Sequence, residues 1–219
     1  MQSSISLIDK GVIEYKEAWD FQKEIFATLS ALDYKGDDFL IYCEHPHVYT
    51  LGKSGHFNNL LVDEAFLKTI NATFFKTDRG GDITYHGYGQ LVGYPILRLQ
   101  NYDLSLKGYI DLIEQAVINT VSAFGIDSFR VEGKTGVWVN TQSMEKKICA
   151  IGVKASRYIT MHGFALNVNT DLDYFNYINP CGFCDKGVTS LKQLLGKEVD
   201  FQRVKELYFS EFSALLMRK

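Results

Sequence analysis

Apolar side chains recur at three- and four-residue intervals in three stretches of the chain, which is the spacing of one buried helix face. Tyr15, Ala18, Trp19, Gln22, Ile25, Phe26, Leu29 and Leu32 mark the first, which is expected to end near Lys35-Gly36. Leu106, Ile110, Ile113, Val117, Val121 and Phe124 mark a second over 104–124, where Gly125 supplies a stop. The third covers 202–217. Between them lie short apolar or β-branched runs at 5–8, 39–42, 48–51, 73–76, 83–85, 91–97, 137–139, 147–153 and 164–168, which read as strands. Strands and helices are mixed without regular alternation, so the predicted class is α+β, a mixed β-sheet flanked by α-helices, rather than a doubly wound sheet. No repeat or Pro/Ser-rich linker interrupts residues 1–219, which are read as one domain.

Composition narrows the range of partners. Of 219 residues, 46% are hydrophobic and 22% charged, the balance of an ordered globular chain. The formal charge is −3 with both signs interspersed, so nothing tracks a nucleic-acid backbone. Met1-Gln2-Ser3-Ser4 has neither a basic region nor an apolar run behind it, and no apolar stretch approaches a membrane span. A cytoplasmic protein with no membrane or nucleic-acid partner is expected. Thiols in that compartment are normally reduced, so the four cysteines do not imply disulfides. Cys43 and Cys149 sit in apolar runs and read as packing residues.

Three stretches carry more glycine, histidine and polarity than a core strand needs. Arg79-Gly80-Gly81-Asp82-Ile83-Thr84-Tyr85-His86-Gly87-Tyr88-Gly89-Gln90 lets the backbone approach a ligand closely, with Arg79 available to an anion or carbonyl. It also reads as a Gly-Gly hairpin with an exposed arginine. Lys147, in the run 146–154, stands at the mouth of a buried strand, where desolvation can make an amine a base; solvation is the ordinary alternative. The polar stretch 155–160 suggests a hairpin into 161–168, at whose start His162 orients a loop or caps the strand. In Asn179-Pro180-Cys181-Gly182-Phe183-Cys184, proline and glycine place Cys181 on a tight turn. The C-x-x-C spacing admits a redox dithiol, half a zinc site, a nucleophile or a packing thiol. Asp185-Lys186-Gly187 does not suit the helix a redox site needs, and no second ligand pair accompanies a zinc site. Nucleotide-binding glycine motifs are absent, and no cofactor or metal is expected.

Five blocks together resemble the lipoyl(octanoyl) transferases, in that family's order: Glu44-His45-Pro46-His47-Val48-Tyr49-Thr50-Leu51-Gly52-Lys53, the Arg79 to Gln90 stretch, Lys147-Ile148 with Gly152, His162-Gly163-Phe164-Ala165-Leu166-Asn167, and Asn179-Pro180-Cys181-Gly182. The resemblance implies the fold of the biotin/lipoate ligase catalytic domain. It also implies transfer of an octanoyl group from octanoyl-acyl carrier protein to a lysine of lipoyl domains, in 2-oxoacid dehydrogenases and in the glycine cleavage H protein. Cys181 is then the acyl carrier and Lys147 its proton-handling partner. Substrate contacts fall on Arg79, Gly80, Gly81, Asp82, Ile83, Thr84, Tyr85 and His86, on Ala150, Ile151 and Gly152, and on Gly163, Phe164 and Ala165. His162 and Asn179 are supporting. An ATP-dependent lipoate or biotin ligase and a lipoyl-domain amidotransferase share the fold and are the alternatives. Two departures stand out: Tyr88 replaces the proline of H-G-P-G-Q, which would reshape the pocket rim and chain-length preference, and Cys184 offers an oxidative link to Cys181.

Overall fold

Strand β2 (Asp38–Glu44) explains the layering. Leu40 and Tyr42 enter one hydrophobic cluster, whereas Ile41 and Cys43 enter another. Successive strand side chains point to opposite faces, so a strand buried on both sides shows an unbroken apolar run instead of alternation. The computed structural model describes residues 4–31, 34–142, 144–179 and 187–218; Cys181 and Cys184 lie outside them.

The main sheet has seven strands in the order β1 (Ile5–Val12), β2, β6 (Gln90–Ile96), β10 (Ile159–Asn167), β9 (Glu145–Ser156), β8 (Lys134–Asn140) and β7 (Phe129–Val131). Only the β1–β2 pairing is parallel among its neighbours, so the sheet is mixed as expected. One face carries α3 (Leu106–Ser122) and α5 (Phe201–Met217), whose Ile113, Val117, Tyr208 and Phe212 pack with Leu40, Leu91, Phe164 and Leu166. The other face carries α1 (Tyr15–Leu29), whose Ala18, Ile25 and Leu29 meet Ile41, Val92, Tyr94 and Ala165. Beside α1 on that face lies a second sheet, β4 (Thr73–Lys76), β3 (Val48–Leu51) and β5 (Ile83–His86). Its Tyr49, Leu51 and Tyr85 form a separate core with Leu67 of α2 (Glu64–Thr69) and with Ile178.

Capping fixes several boundaries. Ser105 accepts the Gly108 amide at 3.0 Å and starts α3, and Asp200 accepts that of Arg203 at 3.2 Å and starts α5. Helix α1 stops earlier than its spacing predicts: the Ser30 hydroxyl competes for the Phe26 carbonyl at 2.7 Å, and the Ala31 amide turns to the Thr28 carbonyl, three residues back, at 3.2 Å. Residues 155–160 form the expected hairpin between β9 and β10. Its two central residues, Arg157 and Tyr158, have φ of 51° and 62°, a backbone that usually selects Asn-Gly. Strand β7, α2 and α4 (Leu191–Leu195) have no counterpart among the predicted elements, since three to six residues are too few to carry a period.

Three buried histidines make the fold acid-sensitive. The His45 Nδ1–H donates to the Ile13 carbonyl at 2.7 Å, and Nε2 accepts from the Tyr94 hydroxyl at 2.7 Å. Burial pushes His45 down to about 4, and it also lowers His86 and His162. The unfolded chain therefore binds more protons below about pH 6.5, so this stability is complete above that pH and is lost as pH falls toward 4. His45 alone accounts for about 3 kcal/mol over that window. Urea unfolding at pH 7 and pH 5 should show the loss, and His45→Gln, which retains a donor and an acceptor but does not titrate, should reduce it to the part due to His86 and His162.

Candidate active site

A cavity of about 320 Å³ lies between the second sheet and the main one. Strands β9 and β10 supply its floor through Ala150, Ile151 and Gly152 and through Gly163, Phe164 and Ala165. Arg79, Gly81, Asp82, Ile83, Thr84 and His86 face it from the second sheet and the loop before β5. In the β9–β10 register Gly163 pairs with Gly152, so two positions without side chains lie side by side. A Cβ at Gly152 would come within 3.0 Å of the Gly80 carbonyl and 3.1 Å of Arg79 Cδ, so the glycine is what lets the loop lie down on the sheet. A volume of this size, mostly apolar with a few converging polar groups, suits a small acyl chain.

The Gly80-Gly81 loop is not the hairpin that its sequence also permitted. Strands β4 and β5 flank β3 instead of pairing with each other, so the loop crosses the end of β3. There the Lys53 amide donates to the Arg79 carbonyl at 2.9 Å and the Ser54 amide to that of Gly81 at 3.1 Å. Nor is Arg79 exposed: only 7% of it is accessible. Its Nη2 donates to the Thr50 carbonyl at 2.6 Å and hydroxyl at 2.9 Å, and Nη1 to the Gly80 carbonyl at 3.0 Å. Asp82 accepts from Asn59 Nδ2 at 2.7 Å and from the Ile83 amide at 2.6 Å, which fixes the cavity lip.

Lys147 lines the opposite end with Lys134, Thr135 and Trp138. Its Nζ donates to the Thr135 carbonyl at 3.0 Å and lies 4.7 Å from the centre of the Trp138 ring. Gly136 has a φ of 122°, and a Cβ there would lie 2.6 Å from the Cys149 carbonyl and 3.3 Å from Lys147 Cε, so the backbone calls for glycine beside this lysine. The Lys147 amide donates to the Gly187 carbonyl and its carbonyl accepts from the Thr189 amide, both at 3.0 Å. The segment that follows residues 180–186 is thereby bridged to Lys147 itself. On the other side of those residues, the Asn179 amide donates to the Asn59 carbonyl at 2.8 Å, and Asn59 holds Asp82. Both stems of the segment containing Cys181 are therefore tied to the cavity wall.

The remaining predicted residues divide. His162 is 1% exposed in the middle of β10, with a φ of 59°. Its Nε2 donates to Asp78 at 2.8 Å, and Lys154 contacts the same carboxylate at 2.5 Å. Those hydrogen bonds, led by that of His162, hold Asp78 below the usual carboxylate range. His162 thus anchors the residue before Arg79 and does not start or cap a strand. Gly80 lies behind the cavity wall, its amide donating to the Val153 carbonyl at 2.8 Å. Tyr85 points to the far side of β5, where its ring stacks 5.0 Å from Tyr174 and its hydroxyl meets His47 Nδ1 at 2.7 Å. Neither side of the cavity includes Asn179. Tyr88 is 49% exposed, packs edge-on against His47 and does not line the cavity. Tyr15, Tyr94, Trp138 and Phe175 line the cavity without having been singled out by sequence, because aromatic residues in apolar runs read as core.

Comparison with known proteins agrees with this architecture. Residues 14–213 match the lipoyl protein ligase A/B catalytic domain. The octanoyltransferase of Bacteroides fragilis strain YCH46 is 54% identical over 215 residues, covering 96% of this chain and 97% of its own length. That of Bacteroides thetaiotaomicron is 54% identical over 217 residues, covering 97% and 96%. Among solved structures, the bipartite lipoate protein ligase of Thermoplasma acidophilum superposes with a TM-score of 0.74 at 18% identity, over 99% of this chain and 84% of that one, a likeness of fold.

Proposed function

The chain belongs to the lipoyl protein ligase A/B catalytic-domain family, and from that membership we propose that it transfers an octanoyl group onto a lysine of lipoyl domains, through a thioester on Cys181. The observation that carries the reading is the convergence on one cavity: an apolar floor for an acyl chain, Lys147 at one end, and both stems of the 180–186 segment attached to its wall. The octanoyltransferase relatives favour transfer over ATP-dependent ligation, because the ligase likeness extends to the fold alone.

The residues present support a two-step exchange. The Thr135 carbonyl and the Trp138 face suit an ammonium at Lys147, which serves as the proton donor in the first step, with Cys181 acting as thiolate. The Cys181 thiolate attacks the thioester carbonyl of octanoyl-acyl carrier protein, the carbon–sulfur bond to the carrier breaks, and Lys147 returns a proton to the departing thiol. Neutral Lys147 then takes a proton from the acceptor lysine as that amine attacks the octanoyl-cysteine. Cys181 leaves as thiolate and the amide remains. The acceptors are the lipoyl domains of 2-oxoacid dehydrogenases and the glycine cleavage H protein. Arg79, buried against Thr50, shapes the cavity and does not pair with a substrate carboxylate, in keeping with a neutral thioester.

Purified protein given octanoyl-acyl carrier protein and an apo lipoyl domain, without ATP, is expected to octanoylate the domain. Transfer only from free octanoate with ATP would establish ligation instead.

A further inference from the structure

Six polar groups from five separated parts of the chain form one hydrogen-bond sequence whose donors all point the same way. Arg79 Nη2 donates to Thr50 Oγ1 at 2.9 Å, and Thr50 Oγ1 lies 3.4 Å from His86 Nε2. His86 Nδ1 meets Gln90 Oε1 at 2.8 Å, Gln90 Nε2 donates to Asn167 Oδ1 at 2.8 Å, and Asn167 Nδ2 donates to the Thr189 carbonyl at 3.0 Å. The Thr189 amide then donates to the Lys147 carbonyl at 3.0 Å. All five side chains, from Arg79 to Asn167, are buried.

The direction is dictated from both ends. A guanidinium only donates, so Thr50 Oγ1 accepts from Arg79 and turns its one hydrogen toward His86 Nε2. A carbonyl only accepts, so Thr189 fixes the Asn167 amide, and the Tyr85 carbonyl, 3.2 Å from Gln90 Nε2, fixes the Gln90 amide. Gln90 Oε1 therefore faces His86, and the hydrogen must sit on Nδ1. Flipping any member would set two donors or two acceptors against each other in a buried site, where an unsatisfied group is costly and aligned bonds reinforce one another.

We infer that Gln90 and Asn167 are positioning residues, which lock His86 as the neutral Nδ1–H tautomer at the cavity and hold the Thr189 backbone, and with it that of Lys147, in register with the acyl site. The inference rests on the proposed transfer for its consequence in turnover, and the tautomer can be read without it. Burial, then His45 and Arg79, keep His86 uncharged; Tyr15 stacks on its ring 6.0 Å away, and His162 adds a smaller effect in the same direction. No carboxylate among the described residues is hydrogen-bonded to it.

Nitrogen-15 spectra of the full chain, with His86→Asn for assignment, should show His86 as the Nδ1–H tautomer and still uncharged below the ordinary histidine range. Gln90→Glu keeps an acceptor for Nδ1 but adds a charge and removes the donor to Asn167. It should make His86 titrate near neutrality and give turnover an acidic limb, at least about tenfold down at pH 6, with KM for the acyl donor changed less than about threefold. Asn167→Asp sets a carboxylate against the Thr189 carbonyl and should lower kcat while leaving the His86 spectrum in place. If Gln90→Glu does not fold, Gln90→Met, similar in shape, should weaken the Nδ1–H preference, which then rests on Thr50 alone. An Nε2–H tautomer in the wild-type chain, or wild-type kinetics in folded Gln90→Glu and Asn167→Asp, overturns the inference. A wild-type chain with the Nδ1–H tautomer but no acyl transfer would instead overturn the proposed activity.

Discussion

Cys181→Ser is expected to abolish the covalent octanoyl adduct and to lower transfer by at least about 10³-fold, the scale on which removal of a nucleophile acts. A serine hydroxyl is far less ionised than a thiol at neutral pH, and without a strong base it does not displace a thiolate from a thioester. The two described cysteines, Cys43 and Cys149, do not substitute for it. Cys43 and Cys149 are fully buried in the two cores, and burial pushes both thiols up, away from the reactive thiolate. The measurement is intact mass after incubation with octanoyl-acyl carrier protein without ATP, with hydroxylamine to cleave a thioester. Wild type should carry one labile octanoyl group. An equal adduct on Cys181→Ser would place the acyl group elsewhere.

Lys147→Arg should lose about 10² to 10⁴ in the rate of adduct formation, the range of general acid–base assistance, although the positive charge is kept. The charge by itself does little. Lowering a thiol from about 8.5 to about 6.5 raises its ionised fraction at pH 7 some 25-fold, but nucleophilicity falls with the same shift, and a net factor of about three remains. Arginine also does not surrender its proton, and its planar head does not reproduce an ammonium set between the Thr135 carbonyl and the Trp138 ring. Single-turnover rates of Lys147→Arg and Lys147→Met separate the roles. Arginine within about threefold of wild type would leave only an electrostatic contribution.

The hydrogen-bond sequence from Arg79 to Thr189 gives a physical reason for residues that otherwise look like isolated motif letters. Thr50, His86, Gln90 and Asn167 come from the blocks that carried the family resemblance, and each is buried with its partner supplied by another block. Such a network is worth keeping only if every member is satisfied, so the blocks constrain one another.

Local sequence determined the elements that bury a face by themselves. The helical spacing of α1, α3 and α5 and the apolar runs of β2, β6, β9 and β10 report burial along one line of chain, whatever partner covers it. The family resemblance added Cys181 and Lys147, which spacing had left among ordinary alternatives. Tertiary structure decided the rest. Whether Gly80-Gly81 turned back or crossed β3 depended on which strands paired, and crossing is what buried Arg79. Tyr15, Tyr94 and Trp138 became cavity walls because three distant segments met around them. Lys147 acquired its place from Gly187 and Thr189, some forty residues on, through two backbone bonds that no local pattern encodes. Periodicity records that a residue is buried; what it is buried against is a property of strand order, which only the folded chain fixes.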